Sequence, residues 1–124
     1  MTKAPLRLLL VEDDPRVGSF IAHGLRDEGF DVEWATTGED AQAKIGDDVD
    51  LVLLDHMLPR KSGIDIARSF RADGRTVPIL MLTARDAPED QRAAFAAGAN
   101  AFMSKPFLFD DLVAEIRRLL PNAA

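Results

Sequence analysis

Leu6-Arg-Leu-Leu-Leu-Val-Glu-Asp-Asp-Pro15 changes character between Val11 and Glu12. The first six residues form an apolar run of strand length, too short to cross a bilayer. Three acids then end it. Asp14 is placed to cap a helix, and Pro15 suits a first helical turn because its missing N–H has no partner to lose there. Val17, Phe20, Ile21, Gly24 and Leu25 follow at three- and four-residue spacing and make one helical stripe, which Gly29 closes. The opening of the chain therefore reads as strand, acidic turn, helix.

The same unit recurs. Phe30 to Ala35 alternates as a second strand, and Thr37, with Asp40 three residues on, caps a helix running to about Ile45 and closed by Gly46. Asp50-Leu-Val-Leu-Leu-Asp55 is a third strand, followed by a loop from His56 to Ser62 marked by Pro59 and Gly63. A helix from about Ile64 to Ala72 ends at Asp73-Gly74, and Val77-Pro-Ile-Leu-Met-Leu82 is the fourth strand. Pro88-Glu-Asp opens a helix that ends at Gly98. Ala101 to Ser104 is a short fifth strand. Asp110 or Asp111 opens a last helix through Leu120, stopped by Pro121. Strands this uniformly apolar are buried on both faces, so the pattern predicts a parallel α/β sheet with helices on both sides.

Bulk properties narrow the function. The 124 residues fit one domain, expected to span 1–124 with its core from about 6 to 120. Hydrophobic residues make up 47 % and charged residues 29 %, a globular balance. The net charge of -6 argues against direct nucleic-acid binding, which needs a basic face. The absence of cysteine excludes disulfides and zinc–thiolate sites. No apolar run reaches the roughly 18 residues of a membrane span, and no signal peptide is present, so a soluble cytoplasmic protein is expected.

In an open α/β sheet, ligands bind beyond the carboxyl ends of the strands. At those ends this sequence places Glu12, Asp13 and Asp14, then Asp55, then Thr83, Ala84 and Arg85, then Lys105-Pro106. Crowded carboxylates repel one another, and a divalent cation relieves the repulsion. Oxygen donors without histidine or cysteine favour a hard ion, magnesium before calcium, with manganese as a substitute. Lys105 brings a mobile positive charge for an anion and Thr83 a hydroxyl donor. The combination suits transfer of a phosphoryl group to a carboxylate. Taken singly, Asp14 and Thr83 can be helix caps and Lys105 a solvated charge, but Asp55, ending a run as apolar as Leu51-Val-Leu-Leu54, is less easily dismissed, since an unpaired buried carboxylate is costly. The coincidence of four strand ends favours the chemical one.

Leu9-Leu-Val-Glu-Asp-Asp-Pro15, Leu53-Leu-Asp-His-Met-Leu-Pro59 with Gly63, Leu80-Met-Leu-Thr-Ala-Arg85, and Ala97-Gly-Ala-Asn-Ala-Phe-Met-Ser-Lys-Pro-Phe107 together resemble the receiver domains of two-component response regulators, in order and spacing, over nearly the whole chain. The resemblance implies a flavodoxin-like (βα)5 three-layer sandwich with a five-stranded parallel sheet in the order 2-1-3-4-5. It makes Asp55 the phosphoacceptor. Magnesium would be bound by Asp13, Asp55 and the backbone carbonyl of Met57, with Glu12 acting through water. Thr83 and Lys105 would hold phosphoryl oxygens, Thr83 and Phe102 would switch together, and Met57 and Arg85 would tune the phosphoryl lifetime. A cis Lys105–Pro106 peptide is also implied.

The implied partners are a histidine kinase or histidine phosphotransfer protein and a downstream protein or C-terminal effector domain, with a phosphorylation-dependent homodimer as a further expectation. Output would run through the fourth helix, fifth strand and fifth helix. The domain would act on itself and turn over no external substrate, so it is not read as an enzyme. The alternative is a degenerate receiver that signals by protein contact alone, against which stand the retained acids, Thr83 and Lys105.

Several positions depart from the family's habit. His56 follows Asp55 where an apolar residue is commoner, and reads as packing or surface; His23 reads as surface and Trp34 as packing. Phe102 lacks the hydroxyl of the more frequent tyrosine, so apolar packing must drive any inward turn. Asn100-Ala101 replaces an acidic pair found in winged-helix regulators, which weakens the dimer mode built on those acids. Leu108 and Phe109 are apolar for a loop and point to an interface or a satellite core. A haloacid-dehalogenase-type phosphatase would need an acid where Met57 stands, and the flavodoxin phosphate loop would be repelled by Glu12-Asp13-Asp14.

Overall fold

The computed structural model describes residues 5–58 and 60–120; Pro59 and Pro121, read above as a loop mark and a helix stop, lie outside them. Five strands, β1 (Arg7–Val11), β2 (Asp31–Ala35), β3 (Leu51–Asp55), β4 (Ile79–Thr83) and β5 (Ala101–Ser104), alternate with five helices, α1 (Pro15–Asp27), α2 (Gly38–Lys44), α3 (Gly63–Ala72), α4 (Pro88–Ala96) and α5 (Phe109–Leu119). The strands are parallel in the order β2-β1-β3-β4-β5, as expected.

Successive strand residues point to opposite faces, so each apolar run feeds two cores. Leu9, Val11, Val52, Leu54, Ile79 and Met81 pack toward α2, α3 and α4 with Ile66 and Phe70. Leu8, Leu10, Leu51, Leu53, Leu80 and Leu82 pack toward α1 and α5 with Ile21, Leu25, Leu112 and Ile116. All five residues of β3 are buried, and so are all five of β4. A continuous apolar run rather than an alternating one is what a two-faced sheet requires.

Local chemistry sets the helix starts. Asp14 accepts from the N–H groups of Arg16 and Val17, and Thr37 accepts from Asp40. Ser62, read above as loop, caps α3 by accepting from Asp65; the three-residue Ser62–Asp65 spacing carried that signal. Gly29, Gly74 and Gly98 take the left-handed backbone that ends a helix. Gly46 does not, because extended backbone at Ile45 already ends α2. The last helix begins at Phe109 rather than at Asp110 or Asp111; both acids sit in its first turn, where the helix dipole favours them. The fourth strand begins at Ile79, after Pro78, which has no N–H for the ladder, and extends to include Thr83.

Two glycines are required by close approach. A Cβ on Gly63 would lie 2.4 Å from the carbonyl oxygen of Asp55 and 2.9 Å from Cα of His56, so only glycine lets α3 start against the end of β3. A Cβ on Gly18 would lie 2.0 Å from the indole of Trp34, which rests on the first turns of α1.

Truncating Leu53, which is fully buried, to alanine is expected to cost about 2–5 kcal/mol, seen as a lower urea midpoint at unchanged slope. Gly63→Ala is expected to cost about 1–3 kcal/mol through backbone overlap, and its amide spectrum should change around Asp55 and His56 rather than uniformly.

Candidate functional site

The carboxyl ends of β1, β3, β4 and β5 meet at one edge of the sheet. Glu12 and Asp13 follow β1, Asp55 ends β3, Thr83 ends β4, and Lys105 follows β5. One carboxylate oxygen from each of Glu12, Asp13 and Asp55 lies within 4.8 Å of the others, a grouping able to hold a metal ion. Glu12 and Asp55 are buried and Asp13 is exposed, so the cluster opens to solvent on the Asp13 side.

Lys105 reaches back into this cluster. Its Nζ donates to Glu12 Oε1 at 2.8 Å and lies 3.3 Å from Asp55 Oδ2. The Lys105–Pro106 peptide is cis, as expected. Burial raises the Glu12 carboxyl above its ordinary range, and the neighbouring Asp55 adds to that, while the Lys105 hydrogen bond opposes it. Burial works against the charge on Lys105, yet the Glu12 hydrogen bond and the charge of Asp55 together hold its ammonium above its ordinary value. The lysine is therefore protonated and partly offsets the crowded acids.

Backbone contacts hold the acids in place. Glu12 N–H donates to the Ala35 carbonyl at 3.0 Å, and the Glu12 carbonyl accepts from the Trp34 indole at 2.8 Å. Asp14 N–H donates to Glu12 Oε2 at 3.2 Å. Asp55 Oδ1 accepts from Met57 N–H at 3.1 Å, which leaves Oδ2 toward Lys105. Met57 itself is exposed.

Thr83 is fully buried and its Oγ1 accepts from Arg85 N–H at 2.9 Å. It caps the turn after β4, not α4, whose capping residue is Ala87. Arg85 pairs at 3.6 Å with Asp90 in the first turn of α4 and is mostly exposed. Phe102 is half-buried against the core beneath α2, α3 and α4.

His56 is buried, as packing required, but its Nδ1 has no hydrogen-bond partner among the described residues; burial first, and then the Arg85 charge, holds the imidazole below its usual value against the opposing pull of Asp90. His23 is exposed. Phe109 packs beside α1, edge-on to Phe20, while Leu108 and Phe20 are exposed. Asn100 has a structural task the sequence does not advertise: its Oδ1 accepts from Ile79 N–H at 2.9 Å and from Arg71 at 3.0 Å, tying the start of β4 to α3.

Comparison with known proteins agrees with the geometry. The family model for the response regulator receiver domain matches residues 8–117. The chain is 47 % identical over 115 residues to the response regulator protein PmrA of Pseudomonas aeruginosa, covering 92 % of this chain and 52 % of that protein. It is 42 % identical over 124 residues to the transcriptional regulatory protein TrcR of Mycobacterium tuberculosis, covering 98 % of this chain and 48 % of that one. The chain thus spans about half the length of these relatives. Among solved structures, the chemotaxis protein CheY4 of Vibrio cholerae superposes with a TM-score of 0.88 at 30 % identity, covering 94 % of this chain and 99 % of that one. A putative response regulator from Chloroflexus aurantiacus gives 0.87 at 35 %, covering 94 % and 98 %. Sheet order, strand-end chemistry and sequence agree, and the chain belongs to the response regulator receiver domain family of two-component systems.

Proposed function

We propose that this receiver accepts a phosphoryl group on Asp55 from the phosphohistidine of a histidine kinase or phosphotransfer protein, in a magnesium-dependent reaction, and answers with a change on the α4–β5–α5 face. The observation that carries this reading is the convergence of three carboxylates from two strand ends with the ammonium of Lys105 from a third. All the donors are oxygens, which fits a hard divalent cation. Asp13, Asp55 and the Met57 carbonyl would hold the ion directly, with Glu12 acting through water. Magnesium would neutralise the acids and the charge on the phosphoryl oxygens.

The chain's own residues supply the rest. An oxygen of Asp55 attacks phosphorus; the new P–O bond forms as the P–N bond to the donor imidazole breaks, and the imidazole nitrogen leaves with that bond's electrons. Lys105 stands 3.3 Å from Asp55, close enough to pair with a phosphoryl oxygen there. The Thr83 hydroxyl accepts from Arg85, so its own hydrogen stays free to donate to a second phosphoryl oxygen. Drawing Thr83 toward the phosphate would pull on Arg85, and through the Arg85–Asp90 pair on the start of α4. Phe102 lies on the same side of the sheet as α4 and can fill space that Thr83 vacates.

The domain changes its own state and releases no product from an external substrate, so it works as a switch, not an enzyme. A downstream protein or C-terminal effector domain would read the switched face, and a phosphorylation-dependent homodimer is one form that output can take. Among the described residues no helix is long and apolar enough to cross a membrane. A cytoplasmic location is part of this proposal.

Magnesium with beryllium fluoride is expected to change Trp34 fluorescence and the amide resonances of Thr83 and Phe102. No response in the wild type, or an undiminished one in Asp55→Ala, would refute the phosphoacceptor assignment. Lys105→Ala is expected to keep the fold and to bind magnesium, yet to slow phosphorylation by a small-molecule donor about a hundredfold, the scale seen when one preorganised charge is removed. Wild-type rates in that variant would exclude the role given to Lys105.

A further inference from the structure

We infer that Trp34 is a positioning residue for the acidic site, holding the Glu12–Asp13 peptide in the orientation that metal binding needs; this rests on the magnesium site proposed above. The carbonyl of Glu12 and the N–H of Asp13 share one planar peptide, so fixing the carbonyl fixes how Asp13 leaves the strand. The indole N–H of Trp34 donates to that carbonyl at 2.8 Å. The preceding peptide is held as well, because Glu12 N–H donates to the Ala35 carbonyl at 3.0 Å. Residues 34 and 35 of β2 thus grip Glu12 from both sides.

Trp34 is itself held on three sides. Its backbone pairs in register with Leu10 of β1. Its carbonyl accepts from Lys44 Nζ at 2.9 Å, and that lysine is also paired with Asp40. Its ring lies on Gly18, where any Cβ would overlap it. A partly buried indole needs some acceptor for its single donor, and here the acceptor is the one carbonyl that joins two site carboxylates. An apolar ring would fill the same space, and the Glu12 carbonyl would then look to water.

Trp34 is the only tryptophan, so its indole resonance is a single unambiguous reporter. The test is a magnesium titration of the nitrogen-15-labelled full chain, starting from EDTA, on the wild type and on Trp34→Phe. In the wild type the indole N–H signal is expected to shift saturably, with the same dissociation constant as the Asp13 and Asp55 amides. Trp34→Phe keeps an aromatic ring over Gly18 and removes the donor. It is expected to bind magnesium about three- to tenfold more weakly, while its thermal midpoint in EDTA falls little. A role in packing alone would lower the midpoint and leave the dissociation constant unchanged, and that result would overturn the inference. So would a wild-type indole signal that stays still while the Asp55 amide shifts. A wild type with no magnesium response at all would sink the metal site and this inference together.

Discussion

Like charges crowded at the edge of a low-dielectric sheet are the constraint to which the rest of the site responds. Oxygens of Glu12, Asp13 and Asp55 lie within 4.8 Å of one another. At that separation each ionised pair repels by about 3 kcal/mol at the effective dielectric of a protein site. No gain in local packing explains such an arrangement, since a single acid after each strand would cap a turn equally well. The cluster persists because something offsets its charge. Lys105 does part of this by bonding Glu12 and standing beside Asp55. Burial works the other way at Glu12, making its charge costlier and holding its carboxyl above the ordinary range. One lysine does not balance three carboxylates, and the cation proposed above would supply the missing positive charge.

The sheet makes this crowding possible. Parallel strands bring all their carboxyl ends to one side, and β1 and β3 are direct neighbours, so residues after Val11 and at Asp55 must meet. Both faces of the sheet are covered by helices, which leaves the central strands no solvent and demands continuous apolar runs. Acids are tolerated only where those runs end. Rigidity beneath the site and polarity at its rim follow from the same topology. Gly63 serves the same edge, because it lets α3 begin against the backbone of Asp55, with its N–H donating to the His56 carbonyl at 3.0 Å.

The face proposed to switch is less firmly held. Helix α4 has no side-chain cap and buries only Ala94 completely. Its first turn is joined to the site through the Arg85–Asp90 pair and the Arg85–Thr83 hydrogen bond. Elements with few buried apolar contacts are those that rearrange at low cost. His56 adds a buried nitrogen that has no partner among the described residues, a local cost of the arrangement. Asn100, in contrast, is a fixed strut, its amide oxygen shared between the start of β4 and Arg71. A position that in sequence shows only the loss of an acid keeps in the fold an acceptor for two hydrogen bonds.

The sequence by itself determined the five apolar runs, the caps at Asp14 and Thr37, and the identity of the groups at each strand end, because these follow from short-range periodicity and from the chemistry of single side chains. It also carried Ser62 as a cap, legible in its spacing to Asp65 but easily passed over inside a loop. Only the tertiary structure decided which groups touch. Lys105 and Glu12 are 93 residues apart, Trp34 and Glu12 are 22 apart, and Asn100 and Arg71 are 29 apart. Such pairs depend on strand register, on side-chain reach and on the close approach that Gly18 permits, none of which leaves a periodic trace in the chain. Trp34 therefore reads as packing when seen as a residue, and as a hydrogen-bond donor to the acidic site only when β2 is laid beside β1.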